Sequence, residues 1–183
     1  MKLTAIAKSL VVVFVVVAAA AGATYALFSD EVTIGESTFS VASADGNLKI
    51  WDGDSYEDTT TGFTTPDMFP GQTADPFYFW LKNFAPFDMD VTAALTGTDN
   101  TDLGNVVYVK FECDPDGDLN FSPAGSEWTV NQWIGGSDTF PDLGSGLEYQ
   151  CLLVARLDSS ADNSVSGQDL LFGATFTGTQ IAE

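Results

Sequence analysis

Histidine is absent from this 183-residue chain, and basic side chains are scarce: six Lys and Arg stand against 26 Asp and Glu. Without imidazole, no Ser-His-Asp or Cys-His catalytic site, no His-x-x-x-His zinc helix and no histidine pH switch can be built. The formal charge of −20 argues against nucleic acid and anionic membrane surfaces as partners, since both need clustered Lys or Arg. Cysteine is limited to Cys113 and Cys151, too few to complete a zinc site with the usual nitrogen and sulfur ligands. No Asp-Thr/Ser-Gly triplet marks an aspartic peptidase, and nothing locates a carboxylate pair for glycoside hydrolysis. These absences read as a protein that is not an enzyme. Aromatics, by contrast, make up 13% of the chain, with fourteen Phe and four Trp. That is too many for a disordered acidic tail, because such residues supply a packed core.

The amino terminus has the pattern of an export signal. Lys2 and Lys8 precede an apolar run from Leu10 to Ala23, followed by Thr24-Tyr25-Ala26 and the acidic Asp30-Glu31. A basic segment, an apolar segment and a small residue before the cut describe a secretory signal peptide over residues 1–26, cleaved between Ala26 and Leu27. The uncharged stretch from Ser9 to Ser29 is also about long enough to span a bilayer. A retained anchor therefore stands beside the signal peptide as an alternative, and the membrane enters only through the uncleaved signal. Cleavage leaves Lys49, Lys82, Lys110 and Arg156 against all 26 acids, a net charge of −22. Such a surface repels its own copies unless salt or divalent cations screen it, which suits a saline or calcium-containing medium outside the cell.

Beyond Ala26 the chain alternates with a period of two. Phe77, Phe79 and Leu81 share one parity; so do Val107, Val109, Phe111 and Cys113, then Tyr149, Cys151, Leu153, Ala155 and Leu157, and finally Leu170, Phe172, Ala174 and Phe176. Shorter candidate strands are Thr38–Ala42, Leu48–Trp51, Asp90–Thr96 and Trp128–Ile134. Gly, Pro, Asn and Asp clusters separate them, as in Phe69-Pro70-Gly71-Gln72 and Asp114-Pro115-Asp116-Gly117. Thr59–Gly62 and Gly135–Gly146 read as mobile loops. Many short strands without a helical repeat predict an all-β fold, a single jelly-roll-like β-sandwich over residues 37–183.

Cys113 and Cys151 lie on the apolar parity of their strands, so they either bridge in an oxidising compartment or stay as two buried thiols. Asp114, Asp116, Asp118 and Asn120 alternate as calcium ligands do, but the EF-hand register fails. Its sixth position is Leu119 instead of Gly and its twelfth is Gly125 instead of Glu. A calcium site and an acidic turn both remain open; no other cofactor is indicated. Asp52, Asp54, Glu57 and Asp58 form a weaker version of the same pattern, and Asn120-Phe121-Ser122 matches a glycosylation sequon. Trp51, Phe77, Phe79, Trp80, Trp128 and Trp133 serve either as core or as the lining of a carbohydrate surface.

Three blocks carry a resemblance to a known family. The first is Ala23-Thr24-Tyr25-Ala26-Leu27-Phe28-Ser29-Asp30, followed by Ser37-Thr38-Phe39-Ser40 and Asn47-Leu48-Lys49-Ile50. The second is Met68-Phe69-Pro70-Gly71-Gln72 with the strand Phe77 to Asn83. The third runs from Asp162-Asn163-Ser164 through Gly167-Gln168-Asp169 into Phe172 to Gln180. In this order they resemble the TasA/camelysin family of exported, fibre-forming biofilm matrix proteins; the segment from Cys113 to Cys151 departs from that pattern. The resemblance implies a dedicated signal peptidase as a partner during export, a homopolymer as the product, and a jelly-roll subunit whose freed N-terminal strand enters the next subunit. Residues 27–36 are the candidate donor, with Phe28, Val32 and Ile34 on one parity and Asp30 interrupting that face. The alternatives are that residues 27–34 form the first strand of their own sheet or an unstructured tail. The second functional reading is a membrane-anchored, monomeric adhesion or carbohydrate-binding module. Camelysin-like proteins have been classed as metallopeptidases, an activity that the missing histidines leave without ligands.

Overall fold

The computed structural model describes residues 32–34, 38–43, 47–51, 53–62, 65–97 and 101–181. In chain order the strands are β1 (Val32–Ile34), β2 (Thr38–Ser43), β3 (Leu48–Trp51), β4 (Tyr56–Glu57), β5 (Thr59–Thr61), β6 (Thr65–Met68), β7 (Phe77–Asn83) and β8 (Met89–Gly97). They continue as β9 (Val107–Asp114), β10 (Ser122–Pro123), β11 (Trp128–Thr129), β12 (Asp138–Thr139), β13 (Glu148–Leu157), β14 (Asp169–Leu170) and β15 (Phe172–Gln180). Among the described residues two short α-helices, α1 (Thr101–Gly104) and α2 (Val130–Ile134), and a 3-10 helical turn (Asn163–Val165) interrupt them.

Two large sheets face each other, and the chain is an all-β sandwich. One has seven strands, ordered β10-β9-β13-β7-β3-β4 with β11 also paired to β9; the other has five, ordered β12-β8-β15-β2-β5. A separate three-stranded sheet runs β14-β1-β6. The period-two patterning explains which face of each strand is covered. Along β9, Val107, Val109, Phe111 and Cys113 are buried while Tyr108, Lys110 and Glu112 are only half-buried. β7, β13, β8 and β15 present Phe79, Leu153, Val91 and Phe176 to the same interior. The Phe176 ring meets Phe79 at 5.1 Å, Phe140 at 5.5 Å, Phe111 at 5.6 Å and Phe39 at 6.3 Å between centroids, tying the two sheets together. β15 runs parallel to β2, and at Gly173 the backbones come so close that a Cβ would sit 2.5 Å from the Thr38 carbonyl oxygen.

Cys113 and Cys151 are directly opposite one another on β9 and β13 and form a disulfide, with Cα atoms 4.1 Å apart. Both sulfur-bearing residues point inward and are buried. The motifs of the second block have local roles. Phe69 to Gln72 is a tight turn in which the Gln72 amide donates to the Phe69 carbonyl at 2.9 Å, with Pro70 and the positive φ of Gly71 (+82°) in its middle positions. Asn83 ends β7 with a fully buried amide: Nδ2 donates to the Phe87 and Leu143 carbonyls at 2.7 and 3.0 Å, and Oδ1 accepts from the Ala85 amide at 2.8 Å.

Several expectations are corrected. Trp128–Ile134 is not one strand. After Thr129 the chain turns into α2, because a reciprocal capping box favours helix: the Thr129 hydroxyl accepts from the Gln132 amide while the Gln132 side chain accepts from the Thr129 amide. Thr59–Thr61 is β5, the edge of the five-stranded sheet, held in register against Thr38–Ser40. Within Gly135–Gly146, β12 pairs with β8, and Phe140 and Leu143 are buried, so that stretch is anchored to the core.

Candidate functional site

The cleavage pair Ala26 and Leu27, together with Phe28 and Asp30, lies outside the described residues. Val32 and Ile34 are described in backbone only. They belong to β1, which lies between β14 in parallel (Thr33 opposite Asp169, Ile34 opposite Leu170) and β6 in antiparallel fashion (Val32 opposite Met68). Within a single chain these residues therefore pair with strands of their own molecule.

The acidic stretch after β9 is a turn in which the Asp114 and Asp118 carboxylates accept backbone amides. Asp114 is buried; its Oδ1 accepts the amides of Asp116 and Gly117 at 3.2 and 2.8 Å, and its Oδ2 accepts that of Leu119 at 2.7 Å. Asp118 Oδ1 accepts the Asn120 amide at 2.9 Å. This geometry is that of the acidic turn, and among the described residues no group of three or more acidic, Cys or His side chains is placed to hold a metal ion. Leu119 takes a positive φ of 64° in this turn and is 72% exposed.

The aromatic residues separate into two sets. Phe77, Phe79, Trp128 and Trp133 pack in or against the core, with the Trp133 indole N–H donating to the Val109 carbonyl at 2.9 Å. Trp51 and Trp80 are on the outer face of the seven-stranded sheet, half-buried, directly opposite each other on β3 and β7. The pairing extends that row across four strands: Tyr56 opposite Trp51, Trp51 opposite Trp80, and Trp80 opposite Gln150. Beside it lies a second row, Lys49 opposite Lys82 and Lys82 opposite Glu148. On the far side Tyr78 is opposite Leu152, which is in turn opposite Glu112.

Polar groups lock this face. The Tyr56 hydroxyl donates to Glu148, and burial, reinforced by that bond and by the Glu148 charge, holds the phenol well above its ordinary range. Lys82 is 3.6 Å from Glu148, and its ammonium lies 5.2 Å from the ring centroids of both Tyr56 and Phe84. All four basic residues that follow Ala26 belong to this outer face: Lys49 pairs with Asp58 at 2.6 Å, Lys110 with Glu112 at 2.5 Å, and Arg156 with Glu127 at 3.3 Å and Asp158 at 3.8 Å. The Arg156 guanidinium also stacks over Tyr108 at 4.6 Å. Sequence reasoning named Trp51 and Trp80 but missed Tyr56, Lys82, Phe84 and Glu148. The signal that points to them is the second parity of β7: Tyr78, Trp80 and Lys82 form an aromatic and cationic outer edge on a strand whose other edge is core.

No protein-family model matches the chain, and no curated protein does. Several solved structures align with the chain at low similarity. AvmM, which catalyses macrocyclisation in alchivemycin A biosynthesis, aligns at 10% identity with a TM-score of 0.31, over 62% of this chain and 82% of that one. The C-terminal domain of a chitobiase from Bacteroides fragilis aligns at 14% identity and 0.30, over 60% and 67%. The major pilin from Streptococcus pyogenes aligns at 9% identity and 0.24, over 84% and 99%. At such scores these likenesses carry no argument about what the chain does.

Proposed function

We propose that the chain is a structural, non-catalytic subunit of an extracellular filament, of the kind the TasA/camelysin resemblance implies, and that it polymerises by passing its mature N-terminal strand to the next subunit. The observation that supports this is the placement of β1. Three residues, belonging to neither large sheet, sit between β14 and β6. A slot that accepts Val32–Ile34 from its own chain accepts the same strand from a neighbour with the same main-chain bonds, and a head-to-tail exchange of that kind does not close on itself. The signal segment would hold this strand at the membrane until cleavage after Ala26 frees it. The test is to delete residues 27–34 from the mature protein and compare negative-stain micrographs with circular dichroism. Folded monomers that do not elongate are expected; normal filaments from the deletion variant would overturn the reading.

A further inference from the structure

The outer face of the seven-stranded sheet has a composition that filament assembly does not use. We infer that it is a binding surface for a neutral polysaccharide, laid across the strands along the row Tyr56, Trp51, Trp80 and Gln150. Each step of this row is a directly opposed residue pair. Neighbouring strands are about 4.8 Å apart, so the backbone positions of the row span about 14 Å, while the Tyr56 ring leans from its end over Lys82 toward Glu148. That is the scale of a short run of linked sugar rings, each presenting an apolar C–H face to an aromatic ring and hydroxyls to either side.

The flanks supply partners for those hydroxyls. Lys82 and Glu148 lie beside the row, the Gln150 amide stands at one end of it, and Tyr56 is fixed through Glu148. The Tyr56, Trp51 and Phe84 rings are also packed against one another before any ligand arrives. Tyr56 meets Trp51 at 5.0 Å and Phe84 at 5.5 Å, and Phe84 is 51% exposed. A site of fixed aromatic surfaces with a few convergent polar groups is what small-molecule and glycan recognition requires.

Charge selects an uncharged occupant. The four basic groups of this face are matched by five acids, Asp58, Glu112, Glu127, Glu148 and Asp158. The face is thus close to neutral in a chain of net −20. An anionic glycan or nucleic acid gains no unpaired cation here and meets the repulsion of the surrounding acids. A neutral polysaccharide meets neither obstacle. This inference does not rest on the filament reading, because a subunit that fails to polymerise would still bind.

Affinity electrophoresis of the mature protein tests it, using gels that contain galactomannan, hydroxyethyl cellulose or laminarin as neutral probes and alginate as the anionic one. Retardation by at least one neutral gel and none by alginate is expected. Trp80→Thr and Trp51→Ala should weaken that retardation at least about tenfold, as loss of a central aromatic anchor does, while Leu119→Gly leaves it unchanged. Should either Trp variant fail to fold, tryptophan fluorescence of the unaltered protein titrated with the retarding polysaccharide replaces it, with a saturable change expected. Failure of all three neutral gels, equal retardation by alginate, full retardation of folded Trp variants or an unresponsive fluorescence would overturn the proposal. So would a sedimentation dimer that Trp80→Thr converts to monomer, since a second copy would then occupy the face.

Discussion

Replacing both Cys113 and Cys151 by Ala should remove about 4 kcal/mol of stability. The bond closes a loop of 38 residues, and the chain-entropy relation for a loop of that length gives about 4 kcal/mol at 25 °C. Alanine keeps each Cβ, and the buried space left by the two sulfur atoms adds to the loss instead of offsetting it. Against the roughly 5–15 kcal/mol that holds a domain together, this is a large share. Simple reduction is a poor route to the same comparison, because Cys113 and Cys151 are 1% and 0% exposed and a reductant reaches them only after unfolding. Urea unfolding of the double variant, followed by tryptophan fluorescence, is the suitable assay. With a slope near 2 kcal/mol per molar, the midpoint should fall by about 2 M. The slope itself should rise, since an unbridged unfolded chain exposes more surface. A loss under about 1 kcal/mol with an unchanged slope would refute the reasoning, and would mean that the unfolded chain is already compact around β9 and β13.

Asn83→Ala should cost about 3 kcal/mol in the same urea assay, because the Phe87 and Leu143 carbonyls and the Ala85 amide all lose a buried partner at once; a loss below about 1 kcal/mol would show that water replaces the amide. Leu119→Gly should raise stability by about 0.5–1 kcal/mol, since an exposed leucine is held at positive φ where glycine carries no Cβ penalty; a lower thermal midpoint would reject that. The Asp142 carboxyl is raised above its ordinary range, first by its hydrogen bond to Asp90, then by burial and by the charges of Asp90 and Asp88. The folded state therefore binds this proton more tightly than the unfolded state, so the contribution to stability is greatest with the proton bound and declines as pH climbs through the raised value. Asp142→Asn should melt above the parent at pH 7, with the gap narrowing as pH falls toward the ordinary carboxylate range; a lower melting point at pH 7 would contradict the assignment.

The longer strands were legible because burial on one side leaves a period-two record. β7, β9, β13 and β15 all follow the parity of Phe79, Phe111, Leu153 and Phe176, and the shared inward parity of Cys113 and Cys151 agrees with their bridge. The short strands were not. β5 consists of three threonines and β12 of Asp138 and Thr139, compositions that also describe loops, and each is a strand only because β2 or β8 offers it a paired edge. α2 left a local trace, the Thr129-to-Gln132 capping box, outweighed by the aromatic and β-branched residues around it. The candidate face was half legible. Parity puts Trp80 and Lys82 on one side of β7, but only the pairings of β3, β4 and β13 bring Trp51, Tyr56 and Glu148 to them, over separations of up to 92 residues. The acidic turn was ambiguous for a related reason: spacing shows where oxygens recur, not that both oxygens of Asp114 accept backbone amides.

The scarcity of basic residues has two opposite consequences for salt. Four cations serve the whole chain after Ala26, and every one is drawn to a single sheet face where acids match it. The surplus of negative charge is therefore carried by the rest of the surface, and bringing two copies together there is opposed by repulsion that reaches about 10 Å at 0.1 M ionic strength but only about 3 Å at 1 M. Association between subunits should strengthen steeply over that range. Binding of a neutral polysaccharide to the balanced face releases no counterions and brings no new charge near the acids, so its affinity should stay within about twofold between the same two salt concentrations. Sedimentation velocity and tryptophan fluorescence titration at 0.1 M and 1 M NaCl separate the two. If the fluorescence-monitored affinity falls tenfold or more with salt, unpaired cations are contacting the ligand and the charge balance of the face is not what selects it. If association instead weakens with salt, complementary charges between copies hold the subunits, and the surplus acids are not their main obstacle.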